Sequence, residues 1–207
     1  MSPIGVFVRT LLKSSAICLG IAIAILQPSF SAGTPAAGTP SAVAQNSAAE
    51  SAVDGLVGAL KDADAGVRRH AASALGQIGN VRAVPGLIEA ARDTMPDVRL
   101  KVIGALGELG DKRALPTLIT ALKDEDPRIR ARAALALGEI GDNTAVDPLI
   151  GLLKDSDIEV KRRAIAALAE IGDTRAVAAI TAALKDADVS VRRAAVLALA
   201  ELGGGEV

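Results

Sequence analysis

The 207-residue chain is half hydrophobic yet has only two aromatic residues, Phe7 and Phe30, so any core beyond residue 30 is built from Ala, Val, Leu and Ile. Its 23 basic and 24 acidic residues nearly balance, and setting aside Arg9 and Lys13, which precede every acid, leaves a slightly acidic remainder. This excludes a nucleic-acid partner gripped through its phosphates, which calls for a basic excess. Small side chains and regularly spaced glycines point instead to closely packed helices.

Residues 1–13 carry Arg9 and Lys13 and no acid, and the apolar run Ala16–Leu26 ends at Gln27-Pro28. Ser29-Phe30-Ser31 then offers a small-x-small cleavage point. This is the order of a secretory signal peptide, and the run is short of the roughly 20 residues a spanning helix needs. The expectation is a signal peptide over 1–31 and an exported protein, periplasmic or extracellular and of bacterial type. The alternative is an uncleaved anchor, which would be the chain's one membrane contact; Ala42-Val43-Ala44 is a more distant cleavage point. Cys18, the only cysteine, follows Ile17 rather than the small residue of a lipoprotein signal. It is expected to leave with the signal peptide, so the mature chain could enter an oxidising compartment without forming a disulfide. Residues 32–50, with two copies of AGTP and no charge before Glu50, read as a flexible linker.

From there the chain repeats. Gly79, Gly110, Gly141, Gly172 and Gly203 stand 31 residues apart. At the same period Leu75, Leu106, Leu137, Leu168 and Leu199 align, as do Ala74, Ala105, Ala136, Ala167 and Ala198. Five units follow, 49–79, 80–110, 111–141, 142–172 and 173–203, giving a repeat domain over 51–203 and a short tail, 204–207. Each unit reads as two helices, A and B. In the third, Leu115, Leu118, Ile119 and Leu122 fall at helical spacing in A, and Ile129, Ala133, Ala134, Leu137 and Ile140 do so in B. Asp126 caps helix B, Pro127 suits its first position, and Gly141 ends it. Asp64, Asp157 and Asp188 hold the same capping position; the second unit has Met95 there, so Thr94 or Asp97 is expected to help. One hairpin cannot bury its apolar stripe alone, so the fold class is all-α: an α-solenoid, an armadillo-like superhelix of five helix–turn–helix units.

The recurring D-x-x-V-R followed by A-L-G-x-I-G, as in Asp64 to Arg68 with Ala74 to Gly79, resembles the HEAT-like repeats of the phycobilisome-lyase type. Residues 126–130 with 136–141 follow the pattern closely, with isoleucine for its valine and glutamate before its isoleucine. The resemblance covers about residues 50–203 and implies the solenoid. It leaves function open among scaffolds, accessory subunits of bilin lyases or isomerases, and a metal-dependent hydroxylase of the deoxyhypusine type. That hydroxylase would need His-Glu pairs at the positions of His70-Ala71, Lys101-Val102, Arg132-Ala133, Arg163-Ala164 and Ala194-Ala195. None is present, His70 is the only histidine, and neither metal nor other cofactor is expected. A mature chain with no cysteine and one histidine has few ways to activate a nucleophile, so no catalytic residue is assigned.

Two sets of polar residues recur. Arg68, Arg99, Arg130, Lys161 and Arg192 sit in the first turn of helix B, where the helix dipole disfavours a cation. Their expected partners are Asp62, Asp93, Asp124, Asp155 and Asp186 at the end of helix A, forming a structural ladder that ties the repeats together. The second set varies from repeat to repeat along one stripe of helix B. It includes a basic row (Arg69, Lys101, Arg132, Arg162, Arg163 and Arg193) and an acidic row (Glu108, Glu139, Glu170 and Glu201), with His70 and Arg128 on the same stripe. The resemblance implies that second helices line the concave surface, so these residues are the candidate partner-binding surface. The last repeat is rich in Ala and Val and lacks a polar capping helix, so weak self-association through it is expected. The expected function is an exported, non-enzymatic scaffold or adaptor binding another protein; an accessory subunit of a bilin lyase is the alternative.

Overall fold

Each unit folds into a helix A and a helix B, with A the shorter in units two to five. The structure, a computed structural model, describes residues 42–203. In the first unit α1 (Ala42–Ala59) and α2 (Ala65–Ile78) are the A and B helices. The second has α3 (Val84–Ala90) and α4 (Pro96–Leu109), and the third α5 (Leu115–Ala121) and α6 (Pro127–Ile140). The fourth has α7 (Val146–Leu152) and α8 (Ile158–Ile171), and the last α9 (Val177–Ala183) and α10 (Val189–Gly203). A turn of 3-10 helix precedes each of α3, α5, α7 and α9. The expected signal peptide with Cys18, linker residues 32–41 and the tail lie outside the described residues.

Local chemistry sets these boundaries. The Asp126 carboxylate accepts from the Arg128 backbone N–H at 2.9 Å, and Asp157 accepts from both Glu159 and Val160, each satisfying donors that a helix start leaves open. At the other end Gly79, Gly110, Gly141 and Gly172 take φ between 64° and 75°, a left-handed conformation that costs a side chain energy. The second repeat differs from expectation. Met95 leaves α4 without a side-chain cap, and neither Thr94 nor Asp97 supplies one. The Asp93 carboxylate accepts from the Met95 N–H at 2.8 Å, but every repeat makes this bond, so it does not replace the missing cap.

The linker reading also needs correction, because α1 begins at Ala42, inside the stretch 32–50 taken as a tether. Ala and the other good helix formers of this stretch propagate a helix once α1 is anchored, as its Val53 is by burial in the core. Repeats two to five cannot do this, since only a glycine and a capped turn of 3-10 helix separate each A helix there from the B helix before it.

The core runs continuously through the stack and, among the described residues, holds no buried polar or charged side chain. Leu75, Leu106, Leu137 and Leu168 are wholly buried, whereas Leu199, the last in the series, is only half-buried. B helices pack on B helices in sequence, α2 on α4, α4 on α6, α6 on α8 and α8 on α10. These joints are tight where the A-L-G motif places glycine. A Cβ built on Gly107 would stand 2.7 Å from the Ala136 methyl carbon and 3.0 Å from its Cα, and one on Gly138 would stand 2.8 Å from the Ala167 Cα. Gly107→Ala is therefore expected to destabilise by about 1–3 kcal/mol through overpacking, despite alanine's better helix propensity. A urea midpoint equal to or above that of the parent chain would contradict this.

Among the described residues no helix is long and apolar enough to cross a membrane.

Candidate functional site

The ladder forms between repeats rather than within them. Arg68 donates through Nε and Nη2 to both carboxylate oxygens of Asp93 (2.6 and 3.0 Å), and through Nη1 to the backbone carbonyls of Asp62 and Ala63. Arg99 repeats this with Asp124, and Arg130 with Asp155. Lys161 makes a single bond of 2.7 Å to Asp186. The guanidinium thus offsets its unfavourable place in the helix's first turn by closing on the next repeat's carboxylate in two-pronged geometry. Each aspartate also accepts the backbone N–H two residues on, as Asp124 does from Asp126. Hydrogen bonding from Arg68 holds Asp93 below the usual carboxylate range, and Lys161 does the same for Asp186. Burial pushes Asp124 and Asp155 upward, but their arginine and backbone hydrogen bonds together outweigh it and leave both lowered. Asp62 and Arg192, at the two ends of the series, have no ladder partner among the described residues.

A second network escaped the sequence reading. Asn80, Asp111, Asp142 and Asp173 each accept the backbone N–H two residues on and cap the 3-10 turns. Arg113 closes on Asp111 and also reaches the Val81 carbonyl of the previous repeat, and Arg175 likewise joins Asp173 to the Asn143 carbonyl. Asp111 is lowered to about 2, chiefly by the Arg113 side chain, and Asp142 to about 2, chiefly by the Thr144 backbone N–H with help from Lys112. The signal was available: an Asn or Asp follows the helix-ending glycine at four successive 31-residue steps.

The B-helix face is less uniformly charged than its rows suggest. Arg132 lies over Gly104 and donates to Glu108 at 3.0 Å, bridging the basic and acidic rows. Arg162 and Arg163 both pair with Glu159 on their own helix, at 2.7 and 2.6 Å. Arg128 pairs with Asp126 and with Asp97 of the preceding repeat. Glu108, Glu139 and Glu170 extend back over Gly76, Gly107 and Gly138, so the acidic row lies against the joints. Arg69, Lys101, Arg193 and the exposed Glu201 complete the stripe, and the first three make no ion pair among the described residues. His70 is exposed, with Nδ1 2.7 Å from the Gly66 carbonyl oxygen.

Two shallow depressions interrupt this face. One, of about 340 Å³, is lined by Ser73, Leu100, Lys101, Gly104, Glu108 and Arg132. The other, of about 330 Å³, lies between α8 and α10 with Arg162, Arg163, Ala166, Glu170, Leu197 and Glu201 around it. Each combines small apolar side chains with both signs of charge, a lining suited to gripping side chains of another chain. No group of three or more His, Cys, Asp or Glu among the described residues is arranged to hold a metal ion.

Comparison with known proteins agrees with this architecture. A chain from the complex of CpcE and CpcF of phycocyanin lyase from Nostoc sp. PCC7120 is similar at 26% identity and a TM-score of 0.67, over 86% of this chain and 71% of that one. The YibA protein of E. coli is 26% identical over 76% of this chain and 59% of its own, with a TM-score of 0.59. A designed armadillo repeat protein in complex with the peptide (KR)4 shares the fold at 24% identity and a TM-score of 0.57, over 76% of this chain and 84% of that one. No curated protein sequence matches the chain closely enough to count as a relative. The sequence pattern of HEAT repeats matches residues 41–95, 84–157 and 147–207, which together span the whole stack. The chain belongs to the HEAT-repeat family.

Proposed function

We propose that this chain is an exported, non-enzymatic interaction module, a scaffold or adaptor that binds a partner protein on its B-helix face. One observation carries the reading. The joints repeat nearly unchanged from unit to unit, while around the two depressions a recurring glutamate is set among positions that change, Ser73, Gly104, Ala166 and Leu197 at one and Leu100 and Arg162 at another. A stack needs only the joints, so varied residues on a shared face are the part free to serve a partner. Arg69, Lys101 and Arg193, which make no ion pair among the described residues, favour acidic groups on that partner. With no aromatic side chain on the face, arginine is its main anchor and modest affinity follows. Export rests on the signal-peptide pattern of residues 1–31.

Capture of a partner from the native envelope by the full chain, followed by the double variant Arg132→Glu and Arg163→Glu, tests this. Recovery is expected to fall at least about tenfold with helicity by circular dichroism unchanged. Undiminished capture would place the partner elsewhere. A second reading, an accessory subunit of a bilin lyase, is favoured by the likeness to the phycocyanin lyase chain. Incubation of the chain with bilin and apoprotein separates the two, since chromophore transfer supports only the second.

A further inference from the structure

The two ends of the stack are halves of the joint that holds its interior together. At the C-terminal end Arg192 is held as its ladder counterparts are, with Nη1 on the carbonyls of Asp186 and Ala187, both at 2.8 Å. Its Nε and Nη2, which in Arg68, Arg99 and Arg130 grip the next aspartate, have no partner among the described residues. Beside it Val196 is 57% exposed, whereas Ala72, Ile103, Ala134 and Ile165 at the same position in the other repeats are at most 1% exposed. Ala200 is also exposed, at the position where Gly76, Gly107 and Gly138 meet the following B helix.

The N-terminal end shows the complementary half. Asp62 accepts the Asp64 N–H at 2.8 Å, in the pose of Asp93 toward Met95, but no cation forms an ion pair with its carboxylate among the described residues. Ala74 is half-buried, whereas Ala105, Ala136, Ala167 and Ala198 are covered by the preceding repeat. A Cβ on Gly55 would meet nothing within 4 Å among the described residues, whereas its counterpart Gly86 lies against Val57 of the repeat before it. An open arginine fork and an apolar patch at one end thus match an open carboxylate and uncovered small residues at the other.

We propose that the C-terminal face docks on the N-terminal repeat of a second copy of this chain, remaking the internal joint with Arg192 on Asp62. The contact is head-to-tail, joining two different surfaces, so it extends into short rows rather than closing as a symmetric pair. It is independent of the partner-binding face, which stays open along the row.

Sedimentation velocity of the full chain over rising concentration is expected to show species growing beyond the monomer, weakened by salt. Arg192→Asp alone and Asp62→Arg alone are each expected to weaken association at least about tenfold. An equimolar mixture of the two regains it, because an alternating row pairs Asp with Arg at every joint. Association that survives Arg192→Asp unchanged, or a mixture that fails to recover, overturns the proposal, as does a parent chain that stays monomeric throughout. In a Cys18→Ser background, Ala74→Cys mixed with Ala200→Cys is expected to cross-link on oxidation, while neither does so alone. Cross-linking of Ala200→Cys with itself would show a symmetric end-to-end pair and would equally overturn the head-to-tail arrangement.

Discussion

Leu137→Ala is expected to lower stability by about 2–5 kcal/mol, the largest effect of any single truncation considered. Leu137 has no exposed surface and stands in α6, between α4 and α8, so the lost methyl groups leave a cavity walled by three repeats. The B helices already touch through glycine and alanine beside it, and backbones in contact cannot move closer to fill the space. Because a solenoid couples mainly neighbour to neighbour, the damage stays near the third repeat. Hydrogen exchange should accelerate in α6 and in the facing turns of α4 and α8, and much less in α2. The counterpart Leu199→Ala, half-buried at the end of the stack, is expected to cost well under half as much. Equal losses in urea unfolding at the two positions would mean that the stack unfolds as one unit and that the joints are not separable.

Breaking the ladder is the second large effect. Asp155→Asn keeps the shape of the side chain but removes the charge that receives both prongs of Arg130, at 2.8 Å each. The two side chains keep 14% and 12% of their surface in water, so about 1–3 kcal/mol is the expected loss at neutral pH, short of the cost of stranding a fully buried charge. The same carboxylates govern the response to acid. Asp93, Asp124, Asp155 and Asp186 are all lowered in the folded chain, as are Asp111 and Asp142, these two to about 2. A group whose folded pKa lies below its unfolded value leaves the unfolded state binding more protons, so the stabilisation is complete above roughly pH 4. It is lost as pH falls from there towards 2. Midpoints of urea unfolding measured between pH 6 and pH 2 should therefore stay level and then drop steeply below about pH 4. Asp155→Asn should start lower and drop less. A parent chain whose stability is flat down to pH 2 would show that the ladder carries little of the folding energy.

Much of this molecule could be read before any coordinates. The period of 31, the two helices of each unit, the capping aspartates and the glycines that end the B helices all follow from local rules acting within a few residues. The ladder residues were visible as types, because a cation in a helix's first turn demands compensation. Their aspartate partners were visible as a set, but the register was not: Arg68 and Asp93 are 25 residues apart, and only the stacking of one hairpin on the next brings them within 2.6 Å. The extra length of α1 was hidden for a related reason. The composition of residues 42–50 permits either a coil or a helix, and the choice falls to the anchored turns that follow.

The candidate surface divides in the same way. Sequence alone determined which residues share the B-helix stripe, since 3.6-residue geometry places them there whatever surrounds them. It could not show that Arg132 closes on Glu108, that Arg162 and Arg163 spend their charge on Glu159, or that the acidic row lies over the glycine joints. Side-chain pairing depends on the distance between neighbouring helices, which the small Gly–Ala contacts set. The repeat unit was therefore written in the sequence, while the ion pairs on the B-helix face and the depressions between repeats were decided only by tertiary packing. Local propensity acts along a few turns of chain, and these features arise where separate turns of chain meet.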